Sequence, residues 1–356
     1  MASFSSIRPV RTMGLLPMRA PVLLIIFNRA DTTSRVVEAL AQVKPPRLFV
    51  FGDGPRADRP DDKAKCTAAR AVIKRLVTWD CELVEYYSEA NLGCRRGPAT
   101  AISWVFEQVD RAIILEDDCL PHPTFFPFCD ALLEMYVDDT RVMHIAGQNL
   151  QGGTRRTSDS YFFSDYCISW GWATWKRAWQ HHDLEVGKWP ALRETSWLEG
   201  ILEHPDMIAF YRKVFDQAHS RSANLNTWDY QWGFACWSQK GLSILPTVTL
   251  VSNIGFGHPD ATHTTSAPSP AATTNAEEMV FPLRHPPCVR RNQEADRNIV
   301  MKALLPSLPK RRGHIDKVLA PVRSFLNDRP SLTDPTLLRQ KVSRSVRTIF
   351  RRHTPS

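Results

Sequence analysis

The chain has 356 residues, 43% of them hydrophobic, which is enough for one large α/β domain with an appendage or for two domains. Its eight cysteines include no CxxC pair and no zinc-type spacing, which argues against a disulfide framework or structural zinc and for reduced thiols in a cytoplasmic protein. The net charge of +8 is unevenly placed: residues 284–356 carry 17 Lys and Arg against 5 Asp and Glu, leaving 28 against 32 before them, so the main body is not expected to bind nucleic acid.

Residues 1–20 are basic and free of acids and are expected to form a flexible leader. The run Val22 to Phe27 is too short to span a membrane and has no signal-peptide cleavage site, so it reads as the first core strand. Asp31 or Thr32 can cap a helix carrying Val36, Val37 and Leu40, which leaves Asn28 and Arg29 at the strand's carboxyl end. An amide there can read a base edge and a guanidinium can meet phosphate; a plain polar turn is the other reading. Arg47 to Phe51 is a second strand closed by Gly52-Asp53-Gly54-Pro55, which turns Asp53 toward the same crevice. A helix over 68–77 and a strand over 83–87 complete another unit. In Asn91-Leu92-Gly93-Cys94-Arg95-Arg96-Gly97-Pro98, Pro98 suggests a first helical turn, and Arg95 and Arg96 would then form an anion cradle just before it, or else be solvated loop charges.

The stretch Ala112-Ile113-Ile114-Leu115-Glu116-Asp117-Asp118 is an apolar run ending in three acids. A central strand of a layered sheet is apolar on both faces, so this is expected to be a core strand delivering carboxylates into the ligand crevice. Three adjacent acids raise one another's pKa unless neutralised, and hard oxygen ligands suit Mg²⁺ or Mn²⁺; a solvated acidic loop is the bland alternative. A helix over 124–136 and a strand over 141–146 follow, and regular β-α alternation then stops.

Ten of the eleven tryptophans lie between Trp104 and Trp237. Such rings can stack on sugars but are more often core. Ser169 to Trp175, with small residues between the rings, reads as a shaped loop. A helix near 206–218 precedes Thr227-Trp228-Asp229-Tyr230-Gln231-Trp232, where Asp229 is either a carboxylate suited to general-base work or a helix-capping acid. Leu242 to Val251 reads as a strand pair, followed by a Gly-rich loop with His258, Asp260 and His263. Residues 266–275 are low-complexity, and 337–352 form a basic amphipathic pattern that could lie on anionic lipid.

Taken in order, FNR after the first strand, the GDG turn, ANLG, ILEDDCLPHPTFF, WGWATW, TWDYQW and SNIGFGHPDATHT resemble bacterial glycosyltransferases of the GT-A fold. The likeness is to the family 2-like group, with an EDD segment similar to that of the N-acetylglucosaminyltransferase I family, and it covers roughly residues 20 to 265. The resemblance implies an α/β, GT-A fold with a mostly parallel central sheet flanked by helices. It also implies metal-dependent transfer of a hexose from a nucleotide-diphosphate sugar to a hydroxyl of a glycan or lipid-linked acceptor, with inversion expected. On this pattern Asp118 ligates Mn²⁺ or Mg²⁺ with His263 near the metal or phosphate, and His258 is a weaker candidate. Glu116 and Asp117 contact donor ribose or sugar, Asn28, Arg29 and Asp53 line the nucleotide pocket, and Asp229 is the base. No QxxRW motif follows Asp229, which disfavours a processive synthase. The alternatives are a sugar nucleotidyltransferase, whose Gly-rich opening is missing at Phe27-Asn28-Arg29, and a non-catalytic carbohydrate-binding protein with a decayed site. The expected divisions are a leader over 1–20, a nucleotide-sugar-binding subdomain over 21–150, an acceptor-binding and catalytic subdomain over 151–265, and a basic extension over 266–356. That extension could bring a cytoplasmic protein to the inner membrane face.

Overall fold

A computed structural model describes residues 18–261 and 274–308. His263, the first 17 residues and the basic pattern over 337–352 lie outside the described residues. The chain opens with β1 (Val22–Ile26), α1 (Ala30–Val43), β2 (Arg47–Gly52), α2 (Asp62–Leu76), β3 (Glu82–Tyr87), α3 (Gly93–Phe106) and β4 (Arg111–Glu116). There follow β5 (Cys119–Pro121), α4 (Phe125–Met135), β6 (Val142–Ala146), β7 (Tyr161–Ser164) and β8 (Trp172–Trp175). The rest comprises α5 (Lys176–Trp179), α6 (Trp189–Arg193), α7 (Pro205–His219), α8 (Asp229–Ser238), β9 (Leu242–Pro246), β10 (Val251–Asn253) and α9 (Gln293–Ile299). A π-helical turn over Val300–Leu304 and the short α10 (Leu305–Ser307) end the described residues.

Eight strands form one mixed sheet in the order β3-β2-β1-β4-β8-β6-β9-β7, with helices on its faces. The first four are parallel, β8 runs antiparallel to both its neighbours, β6 and β9 are parallel to each other, and β7 closes the edge antiparallel to β9. Crossing β8 restores the original direction, so β1, β2, β3, β4, β6 and β9 all end on the same edge. The continuous apolar runs are explained by burial on two sides. Val22, Leu24 and Ile26 of β1 join Val36, Val37 and Leu40 of α1 in one core, while Leu23 and Ile25 join Ile102 and Val105 of α3 in another. A third apolar cluster gathers Val214 and Phe215 of α7, Phe234 and Trp237 of α8, and Ala295 and Ile299 of α9.

Three expectations are corrected. Residues 172–175 are a strand, not a loop: Trp172 faces the α3 core while Ala173 and Trp175 face the α1 core, the two-sided burial of an interior strand. Gly171, at φ +65° with its Cα against Val251 and Leu115, makes the entry turn where a side chain would clash. Arg95 and Arg96 lie inside α3, which begins at Gly93, and Pro98 is in the second turn. The leader is tied down at its end, because the Arg19 and Ala20 amides donate to the Asp130 carboxylate at 3.3 and 2.8 Å.

The expected boundary at 150 does not separate one sheet from another, since β8 and β9 are inserted among earlier strands. Likewise residues 274–308 pack on the main body: Met279 is in the α1 core, and the Ser164 hydroxyl donates to Asp296 at 2.5 Å. A small second sheet pairs β10 with β5 antiparallel, placing Asn253 opposite Cys119. Most tryptophans are core. Trp172 stacks on Trp228 at 5.5 Å and on His144 at 4.9 Å, and Trp175, Trp189 and Trp232 are fully buried.

Candidate active site

The three acids leave β4 at the shared carboxyl edge, beside the end of β1. Glu116 closes the strand opposite Ile25, and Asp117 and Asp118 follow it into the crevice, both buried. Arg29, three residues beyond the end of β1, answers them. Its Nη2 donates to Asp117 Oδ1, its Nε reaches Asp117 Oδ2 at 3.4 Å, and its Nη1 donates to Asp118 Oδ2 at 3.0 Å. Burial disfavours the guanidinium's charge, but the two carboxylates outweigh that and hold its pKa above the ordinary arginine value. Burial raises Glu116 above the usual carboxylate range, and the negative charges of Asp118 and Asp117 add to it. Asp117 is also raised by burial, against the opposing pull of Arg29.

The β10–β5 ladder delivers a glycine to this cluster. The Ile254 amide donates to the Asp118 carbonyl at 2.8 Å, and the next residue, Gly255, lies so close that a Cβ there would sit 2.3 Å from Asp118 Oδ2 and 2.8 Å from Arg29 Nη1. Only glycine permits that approach.

Asp229 is the first residue of α8. Both its hydrogen bonds end on Oδ1, from the Thr227 hydroxyl and from the Tyr230 amide at 3.0 Å, so among the described residues nothing donates to Oδ2. Its negative charge is near enough to contribute to the raised pKa of Glu116. The thiol of Cys94, at the start of α3, feels Glu116, Asp229, Asp118 and Arg29 together, after burial has already raised its pKa. Asp229, more than a hundred residues further along the chain, thus lies within electrostatic reach of the β4 acids.

Other expected residues are placed differently. Asp53 is a brace: its carboxylate accepts from the Gly54 and Leu92 amides at 2.8 Å, the Gly93 amide at 3.0 Å and Asn91 Nδ2 at 3.0 Å. Burial nevertheless raises its pKa, with those amides opposing the rise. Asn28 is buried and donates through Nδ2 to Asp62 at 3.0 Å, while its Oδ1 has no protein partner. Asp62 is in turn held to Arg56 Nε at 2.6 Å, which lowers its pKa to about 2. Arg95 turns its guanidinium onto the carbonyls of Leu184 and Ala218 at 2.9 and 3.1 Å, joining α3 to the α7 region rather than standing free for an anion. His258 pairs with Asp31 at 3.3 Å and Asp260 with Lys65 at 2.6 Å, so that loop is tied to α1 and α2.

Sequence reasoning overlooked Gly255, whose spacing carries no signal of its contact with Asp118. It also overlooked two fully buried glutamines: Gln148, after β6, and Gln231, in the first turn of α8.

Among the described residues no group of three or more His, Cys, Asp and Glu side chains is arranged to hold a metal ion. The donor set at β4 is nevertheless of the type that suits a hard cation, because Mg²⁺ is commonly held by one or two carboxylates and completed by substrate phosphates and water. Asp118 is the acid of this set that would hold such an ion, in exchange for the bond its Oδ2 now accepts from Arg29 Nη1 at 3.0 Å.

No family model matches the chain. It is 26% identical over 202 residues to an alpha-1,3-mannosyl-glycoprotein 2-beta-N-acetylglucosaminyltransferase of Arabidopsis thaliana, covering 52% of this chain and 43% of that protein. The chain therefore spans less than half the length of that curated relative. Among solved structures, mouse xyloside xylosyltransferase 1 in its apo form is 10% identical over 64% of this chain and 85% of that one, with a TM-score of 0.32. Glucosyl-3-phosphoglycerate synthase of Mycobacterium tuberculosis, solved with Mn²⁺, UDP and glucosyl-3-phosphoglycerate, is 13% identical over 62% of this chain and 87% of that one, with a TM-score of 0.30. No helix among the described residues is long and apolar enough to cross a membrane. The chain is glycosyltransferase-like in sequence over about half its length, and its architecture is the expected α/β fold, a large central sheet flanked by helices, here with β7 and β8 running against the other six strands.

Proposed function

We propose that this protein is a metal-dependent glycosyltransferase of the GT-A fold that moves a sugar, a hexose, from a nucleotide-diphosphate donor to an acceptor hydroxyl with inversion. The observation that carries the reading is the convergence of the β4 acids, Arg29 and Asp229 at the carboxyl edge of one sheet, where α/β folds place their ligands.

Asp118 would hold Mn²⁺ or Mg²⁺, which when bound offsets charge on the leaving diphosphate. Arg29 gathers Asp117 and Asp118 and keeps the cluster from repelling itself apart. Glu116 and Asp117 would contact the donor's ribose or sugar. The Glu116 carboxyl, its pKa raised, can donate a hydrogen bond as well as accept one. Asp229 accepts the acceptor hydroxyl's proton through Oδ2, while Thr227 and Tyr230 fix the carboxylate through Oδ1. Asn28 offers its unpartnered Oδ1 to the nucleotide. Backbone groups of the Asp53 turn, rather than its engaged carboxylate, would face the donor. A glycan or lipid-linked acceptor, a contribution from His263 and a cytoplasmic location with peripheral membrane contact through 337–352 belong to the same proposal. Co-sedimentation with anionic vesicles tests the last.

Thermal unfolding is the direct test of the activity class. A panel of UDP- and GDP-sugars should raise the melting temperature in the presence of Mn²⁺ and lose most of that effect in EDTA. A chain stabilised by no nucleotide sugar would leave the non-catalytic reading standing instead.

A further inference from the structure

Gln148 is fully buried, yet neither its Nε2 nor its Oε1 has a hydrogen-bond partner. An amide in that state costs stability, and replacing it by an apolar group of the same shape would be neutral or better, so its presence calls for an explanation. Its place says what that use is. Gln148 follows β6 by two residues, at the same edge as the β4 acids and two strand spacings from them, about 10 Å along the sheet. The intervening contacts are continuous: a Cβ on Gly147 would touch the Gly171 carbonyl at 2.6 Å, and a Cβ on Gly171 would touch Leu115, the residue before Glu116, at 3.2 Å. Two other buried carboxamides also have an unpartnered atom. They are Asn28 after β1 and Gln231, whose Oε1 is free one helical turn from Thr227 and two residues past Asp229.

We infer that Gln148 is a specificity-determining residue that hydrogen-bonds the hydroxyl or acetamido groups of the transferred sugar. This rests on the reading of the edge as a donor site. A carboxamide suits that task because it carries two N–H donors and an acceptor oxygen, matching groups that both donate and accept. The side chain is closed off from solvent, so the sugar reaches it by displacing some of its cover, and the unmet hydrogen bonds are satisfied only in the complex.

The test compares the full chain with Gln148→Met and Gln148→Leu, both near the original volume. In the absence of ligand, both variants should melt no lower than the wild type; a clear fall would mean the amide is bonded within the folded protein and would overturn the inference. With Mn²⁺ present, affinities are then measured for UDP against UDP-glucose and UDP-N-acetylglucosamine, and for GDP against GDP-mannose. The expected result is unchanged nucleotide binding with the preferred nucleotide sugar weakened about tenfold or more, so that the sugar's increment disappears. Equal nucleotide-sugar binding by wild type and variants would overturn the role of Gln148 while leaving the donor site standing. Failure of the wild type to bind any of these probes would overturn the donor-site reading and this inference with it.

Discussion

Arg29 stands between β1 and α1 as the only described cation hydrogen-bonded to the β4 acids, and its worth shows in what its loss would leave behind. Arg29→Met should destabilise the fold by about 3–5 kcal/mol, because three acids would remain in a buried place without a counter-charge. Without Arg29 the folded pKa values of Glu116 and Asp117, already raised by burial, rise further above their unfolded values, so the native state is favoured once these two are protonated and disfavoured as pH climbs. Denaturant unfolding should therefore show the deficit largest near neutral pH and shrinking below about pH 4. Asp118→Ala should abolish Mn²⁺-dependent stabilisation by nucleotide sugars. Asp229→Asn should keep that stabilisation but lower transfer by roughly 10²- to 10⁴-fold, measured as nucleotide released in the presence of acceptor. The strand ends that carry the acids and Arg29 were legible because an apolar run that stops abruptly at charges reads as a strand end, whereas the sequence set Arg29 against the nucleotide, with no sign of its pairing with Asp117 and Asp118. Gln148 and Gly255 were not legible, because a glutamine without partners and a glycine against a carboxylate are facts of packing that leave no mark on spacing.

At the level of elements, β8 and α8 pack together through their rings, Trp172 lying 5.6 Å from Trp232 in the α3 core. His144 is the hinge of that packing. Trp232 Nε1 donates to its Nδ1 at 3.1 Å, so Nε2 carries the proton donated to the Ile168 carbonyl at 3.1 Å, and the ring is neutral. Burial lowers its pKa to about 3. A histidine held neutral when folded and free to protonate when unfolded makes stability fall as pH falls. The contribution is about 1.4 kcal/mol per pH unit between pH ~6.5 and ~3. His144→Phe should flatten that stretch of the profile relative to wild type in urea titrations, even if it is less stable at pH 7. Gly255→Ala should act mainly on the site, lowering transfer by roughly 10²-fold through displaced Asp118, with a smaller change in melting temperature. The strand identity of β8 was missed because glycine and alanine between large rings resemble loop composition. Large and small residues are in fact set there to fill two different cores. Arg95 was misjudged because Pro98 was taken to mark the first turn of a helix that starts five residues earlier.

The whole molecule does not divide where composition changes. The low-complexity stretch suggested an appended tail after 265, yet Met279, Asp296 and Ile299 lie in the folded body, and Asp296 is bound by Ser164 and by Arg291 at 2.6 Å. A chain ending at residue 308 should retain the cooperative unfolding of the full chain, whereas one ending at residue 273 should lose it, as followed by far-ultraviolet circular dichroism during heating. Composition measures how polar a segment is, and a polar segment can still contribute a few apolar residues and one buried carboxylate that complete a core.

The insertion of β8 between β4 and β6 also governs the order in which the protein can be made. During synthesis β4 emerges well before its neighbour β8, and β6 waits for β8 on one side and for β9 on the other. Until Trp172–Trp175 arrives, the strand that ends in the acids presents an unpaired apolar edge, the kind that pairs with other chains. The nascent N-terminal half is accordingly the stage at which this apolar strand edge stands uncovered. The crevice itself takes shape only late, when the central strand slots into the gap left for it.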